Sequence, residues 1–193
     1  CVSSMVPRGS GLSSSAAYEV LVAAIVNALF NAGAIPPVEL AQAAQAAENR
    51  FFGKPCGLMD QTASAVGGFV AIDFGDPALP VVRKVGFDFA ASGYAAVIVD
   101  TGASHADLND DYAAIAREMK EVARALGAGV LRGCTRGAVL GSIPRLRAAV
   151  GDRAVLRALH FFDENERAAA QAEALEQGRF ESFLRLVVES GRS

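Results

Sequence analysis

The chain has few of the residues that staple, charge or anchor a protein from outside. Its only cysteines are Cys1, Cys56 and Cys134, scattered and with no Cys-x-x-Cys pair. An odd, scattered set supports neither a disulfide framework nor a zinc site. Reduced thiols, with no signal-like segment, point to the cytoplasm. Charged residues make up 20% and sum to a net charge of −3 with no basic tract, so nucleic acid is not an expected partner. No charge-free apolar run reaches the roughly 18–20 residues of a membrane span. The most apolar stretch, 16–30, stops short at Asn31 and Gly33, so no membrane partner is expected. What remains is 193 residues, 52% hydrophobic, enough for a sizeable core in one or two domains.

The segment 7–17 stands out: Pro7-Arg8-Gly9-Ser10-Gly11-Leu12-Ser13-Ser14-Ser15-Ala16-Ala17. Glycines let a backbone come close to a ligand and adopt positive φ. Serines offer hydroxyls and helix caps. Residues 16–30 (AAYEVLVAAIVNALF) read as a helix with only Glu19 and Asn27 strongly polar. A helix apolar on nearly every side is expected to be buried, fixing the loop to the core. Its free N–H groups and dipole face the loop, which suits a phosphate. The loop is not a Walker A motif, because no lysine follows Gly11. It is a poor dinucleotide fingerprint, with Ser14 where a third glycine or alanine belongs. No Gly-x-Ser-x-Gly elbow surrounds the serines. On residue type alone, a plain serine-capped helix remains equally open.

A second segment separates these readings: Glu48-Asn49-Arg50-Phe51-Phe52-Gly53-Lys54-Pro55-Cys56-Gly57-Leu58-Met59-Asp60-Gln61. Pro-x-Gly-x-Gly-Leu-Ser-Ser-Ser-Ala and Cys-Gly-Leu-Met-Asp-Gln together resemble the GHMP family of small-molecule kinases and, within it, the galactokinases. Leu58 stands where that segment more often has isoleucine. The resemblance continues through Asp100-Thr101-Gly102, Ser104-His105-Ala106-Asp107-Leu108 and Asp111-Tyr112-Ala113. It reappears at Arg157–Phe162 and Glu164-Asn165-Glu166-Arg167, and is least clear over 133–152.

The resemblance implies an α+β, two-domain kinase with ATP, Mg2+ and galactose as its small-molecule partners, acting as a monomer. It assigns 1–85 to part of an N-terminal phosphate-binding domain and 86–193 to part of a C-terminal domain. The family's upstream arginine and Glu-His-x-Asp stretch, and its Gly-rich third motif, are not seen. An internal piece truncated at both ends, inactive by itself, is therefore expected.

Phosphoryl transfer needs a phosphate cradle, a cation, a residue to take or orient the hydroxyl proton, and a sugar pocket. The cradle would be Gly9, Ser10, Gly11, Leu12, Ser13, Ser14, Ser15 and Ala16. By resemblance, Ser14 or Ser15 also ligates magnesium. Glu48 is the expected carboxylate ligand. It falls four residues after Ala44 and eight after Leu40, in line with Phe51 and Phe52, on a stripe where an unpaired carboxylate is costly. Asp60 is the expected catalytic residue; its bland alternative is a helix cap before Thr62–Val66. Gly57, Asp60 and Tyr112 resemble sugar contacts, although Tyr112 could simply pack. Asp107, Asp110 and Asp111 suit a helix start better than a metal cluster. His105 and His160 take no role, and nothing local supports a hydrolase drawn from Ser14, His105 and Asp60. Two other functions stay open: a sibling kinase for an N-acetylated or pentose sugar, and a non-catalytic sensor of ATP and sugar.

For the rest of the chain, Pro36-Pro37 opens a second helix at 38–52, ended by Gly53 and Pro55. Strands are expected over 66–74, 80–86 and, more buried, 94–100. An amphipathic helix is expected at 110–126, with Ile115, Met119, Val122 and Leu126 on one stripe. Residues 145–189 read as mostly helical, broken near Gly151 and Gly178. The domain boundary falls between about 76 and 110.

Overall fold

The structure is a computed structural model that describes residues 3–4, 6, 11–53, 56–76, 78–99 and 109–193, with side chains from Asp111 in the last stretch. The described residues form eight α-helices and two strands, the α+β class expected. Backbone contacts divide the chain into two compact units. The first takes residues 1–72, 81–85 and 94–105, the second 73–80, 86–93 and 106–193.

In the first unit, α1 (Ser14–Asn31) packs on α2 (Pro37–Phe51) and α3 (Met59–Val66). α1 ends where Ala32 and Gly33 turn left-handed, at φ 49° and 74°. The buried Asn27 secures this turn: its Nδ2 donates to the Ile35 carbonyl at 3.0 Å, and its Oδ1 accepts from the Ile35 N–H at 3.1 Å. α2 starts on Pro37, whose missing N–H costs nothing in a first turn. Beyond α3 the chain turns through Gly67 and Gly68 into β1 (Phe69–Asp73), paired with β2 (Val81–Val85) in a two-stranded sheet. The strand expected from Val66 therefore starts three residues later, because α3 runs through Val66.

Two expectations for this unit are corrected. α1 is not buried: only Ala16, Val20 and Asn27 are, while Leu21, Val22, Ile25, Val26 and Leu29 are exposed and Phe30 is 82% exposed. The described partners α2 and α3 cover one side of a helix that is apolar on several. The helix also begins earlier than expected. Its 18 residues are apolar and long enough to cross a membrane by length and composition alone, a test that core helices of other proteins also pass. The segment 94–99 carries no strand, and its Val97, Ile98 and Val99 are exposed. An apolar run becomes a strand only with a ladder to join, and the described sheet stops at two.

The second unit is helical. α4 (Asn109–Ala125), α5 (Arg136–Gly141), α6 (Ile143–Val150) and α7 (Asp152–Glu176) surround a core of Val122, Leu131, Val139, Leu146, Val155 and neighbouring alanines. Thr135 caps α5, its side chain accepting from the Ala138 N–H at 3.1 Å. Gly151 (φ 84°) and Gly178 (φ 68°) break the helices where expected, the second before α8 (Phe180–Ser190). Phe87 and Phe183 stack on opposite sides of Phe180 in sequence, at centroid distances of 5.0 and 5.7 Å. On α4, Val122 is fully buried, but Ile115 is largely exposed. The buried positions nearby are Ala114 and Glu118. Glu118 accepts from Arg153 Nε at 3.0 Å and from Arg157 Nη1 at 2.7 Å, tying α4 to α7.

Candidate active site

Gly9 and Ser10 lie outside the described residues, as do His105 and Asp107. From Gly11 on, the loop is described. Gly11 takes φ 74°, and Ser13, the residue before α1, takes φ 55° and ψ 42°. A serine in the left-handed region costs on the order of 1–2 kcal/mol. It is not there as a conventional cap, since its side chain makes no capping hydrogen bond. This strained entry leaves the first backbone N–H groups of α1 without a side-chain cap from Ser13. Leu12 and Ser15 are exposed, Ser13 and Ser14 half-buried and Ala16 buried. Such a helix start suits an anion.

α2 and α3 build the next part together. Gln45, Glu48 and Asn49 project from the last turns of α2 towards the 56–61 segment. Asn49 Oδ1 accepts from the Cys56 N–H at 2.8 Å, and Gln45 Nε2 donates to the Cys56 carbonyl at 3.1 Å. This clamp leads directly into α3. Glu48 is only 3% exposed and Gln61 1%. Gln61 Nε2 donates to Glu48 Oε2 at 2.9 Å. Glu48 is thus no frayed surface residue, but its companions differ from expectation. Ala41 and Ala44 share the buried side of α2, while Phe51 and Phe52 at its end are 85% and 76% exposed. Three and four residues past Glu48, at the last turn, the helix has run out of a partner to cover them.

Burial, followed by the hydrogen bond to Glu48 and the Glu48 charge, pushes the Cys56 thiol from 9.0 up to about 11. Burial and the neighbouring carboxylate both disfavour a negative charge on this thiol.

Asp60 sits in the first turn of α3 and is exposed. It is not the cap, which is Leu58. A carboxylate there gains from the helix dipole and faces solvent rather than the fold. Gly57 is exposed, and a Cβ built on it would meet nothing within 4 Å. The fold therefore leaves open space at this glycine. Tyr112 is 57% exposed on α4 of the second unit, so it does not serve as core packing. Asp111 is exposed in the same helix. A cavity of about 520 Å³ in the second unit is lined by Ile115, Met119, Arg157, His160, Phe161 and Glu164 among others, and none of the candidate site residues lines it.

The donors fit magnesium. Glu48 and the serine hydroxyls are hard oxygens, and Mg2+ commonly takes one or two carboxylates, with phosphates completing its shell. Among the described residues no cluster of three or more His, Cys, Asp or Glu forms a self-contained metal cage.

The chain is similar in sequence and fold to known proteins. Residues 2–68 match the GHMP kinases N-terminal domain. Over its whole length the chain is 34% identical to a galactokinase of Streptomyces coelicolor and 35% identical to a galactokinase of Homo sapiens. The chain is thus similar to galactokinases over its whole length. It spans 49% of the first relative and 47% of the second, about half the length of the curated relatives it matches. Its fold also matches Lactococcus lactis galactokinase, solved in complex with galactose, with a TM-score of 0.67 at 22% identity over 96% of this chain and 47% of that one.

Within this galactokinase-like frame, the sequence missed the pairing of Gln61 with Glu48. Gln61 stood in the quoted motif directly after Asp60, but its partner lies 13 residues upstream on another helix. Glu118 was likewise hidden, since its arginine partners lie 35 and 39 residues away.

Proposed function

We propose that this chain carries the phosphate-holding and proton-accepting part of a galactokinase, which transfers the γ-phosphoryl of Mg-ATP to the C1 hydroxyl of galactose. The observation that carries it is the pairing of a buried carboxylate, Glu48, with an exposed one, Asp60, on two packed helices. One is desolvated and suited to a cation, the other is open to a substrate.

In this reading the N–H groups at the start of α1 and the Ser13–Ser15 hydroxyls hold the phosphate oxygens. Glu48, with Ser14 or Ser15, would hold Mg2+, which neutralises charge on the phosphates when bound. Asp60 accepts the proton of the C1 hydroxyl, or holds it by a hydrogen bond, as the oxygen attacks phosphorus. The open space at Gly57 lets the sugar ring approach the backbone. Free thiols at Cys56 and Cys134 favour the cytoplasm as its compartment.

The test is galactose-dependent release of ADP by a protein that carries this chain at the full length of its relatives. Turnover with galactose supports the reading. ADP release with an N-acetylated or pentose sugar in its place moves the protein to a sibling kinase. Binding of ATP and sugar without release makes it a sensor.

A further inference from the structure

We propose that Gln61 is a positioning residue, whose Nε2–H bond to Glu48 Oε2 fixes that carboxylate for the cation assigned to it above. The proposal rests on that reading of Glu48. The bond itself is plain: 2.9 Å, between groups that are 1% and 3% exposed.

Two features make the bond more than ordinary packing. The first is the choice of donor. A lysine or arginine at this place would neutralise Glu48 and compete with a cation. A carboxamide donates a hydrogen bond without bringing a positive charge of its own.

The second is what the amide gives up. Gln61 Oε1 is buried with no hydrogen-bond partner, a rare state for a buried carbonyl. Flipping the amide would not help, since it would set Oε1 against the carboxylate. A methionine of similar size would carry no orphan of its own, but it would strip the buried carboxylate of this donor. The orphan is the cost of holding Glu48 in one orientation.

The placement adds a consequence. Gln61 directly follows Asp60 on α3, so the helix that presents Asp60 also holds Glu48. The two carboxylates are kept in register by adjacent residues of one turn.

The experiment measures Mn2+ affinity in the presence of ADP, by the spin-resonance signal of free Mn2+, on the purified protein and on Gln61→Met, Glu48→Gln and the double variant. Thermal unfolding is followed in parallel. Gln61→Met is expected to unfold below the parent temperature, because the buried carboxylate loses a donor, and, measured well below that transition, to bind Mn2+ about 10- to 100-fold more weakly, the usual effect of removing a group that orients a ligand. In the Glu48→Gln background the same change is expected to add nothing. Unchanged Mn2+ affinity in a folded Gln61→Met protein overturns the proposal. So does a loss of the same size in the Glu48→Gln background, because Gln61 would then not act through Glu48. If Gln61→Met does not fold, Gln61→Asn keeps the amide but withdraws it by one methylene, and carries the same expectation. A parent protein that binds no Mn2+ with ADP overturns the kinase reading itself, and this proposal with it.

Discussion

The two units spend their interiors differently. In the second, the buried residues are almost all aliphatic, with Val122, Leu131, Val139, Leu146 and Val155 at the centre and Glu118 as the described buried polar exception. In the first, the buried set includes Asn27, Glu48, Gln61 and Thr62, while the large apolar side chains of α1 face outward. Apolar burial stabilises by about 25 cal/mol per Å², so the second unit is built for stability. The first gives interior volume to polar groups that must be held in place by hydrogen bonds. Of its candidate site residues, Glu48 belongs to that polar interior, while Asp60 is exposed in the neighbouring helix.

The contrast is sharpened most by Asp60→Asn. In a protein that carries this chain at the full length of its relatives, turnover is expected to fall by about a hundred- to ten-thousandfold, while stability falls by no more than the lost helix-dipole interaction, about 0.3–1 kcal/mol, since the side chain is exposed and caps nothing. A matching drop in melting temperature would break the division. Leu146→Ala tests the other side. Leu146 is fully buried, and the truncation should cost about 2–5 kcal/mol in denaturant unfolding. Mn2+ affinity measured below the transition should not move.

Cys56 offers a chemical probe of the polar interior. With its thiol at about 11 rather than 9.0, alkylation by iodoacetamide at pH 8 should run about a hundredfold slower than for an ordinary thiol, because the thiolate reacts. Its rate should keep climbing as pH approaches 11. Fast labelling at pH 8 in the folded protein would show that the thiol is not buried beside Glu48 as described.

The mildest effect concerns Glu118. The Arg153 hydrogen bond, followed by the charges of Arg153 and Arg157 against the opposing effect of desolvation, holds its carboxyl below the usual 4.5. A lowered value in the fold means that the unfolded chain binds the proton more readily. The stabilisation is then present above 4.5 and is lost as pH falls through the lowered value. Stability measured against pH should show this acid loss in the parent and less of it in Glu118→Gln.

Much of this was legible along the chain. Pro37, Gly33, Gly151 and Gly178 act through their own backbone geometry, so the helix limits they set needed no partner to be read. The order of the Gly-Ser loop, Glu48 and Asp60 was equally visible, because family motifs are written in local sequence. The errors share one cause. The apolar run of α1 and the β-branched run at 94–99 announce that they avoid water, but not what stands opposite them. Without a second cover α1 stays open, and without a ladder Val97–Val99 form no strand. The run 133–152, least clear in sequence, became η-turn, α5 and α6 through short caps such as Thr135.

The sequence by itself determined most of the helices, several of their ends and the set of residues able to hold a phosphate, a cation and a proton. Those properties depend on backbone preferences and side-chain chemistry within a few residues. Only the tertiary structure decided that Glu48 is buried, that Gln61 holds it, that Asp60 stays open to solvent, and that Glu118 is gripped by two arginines. Each of these depends on which helix faces which. Burial and pairing are properties of two chain segments brought together, and neither segment records its partner.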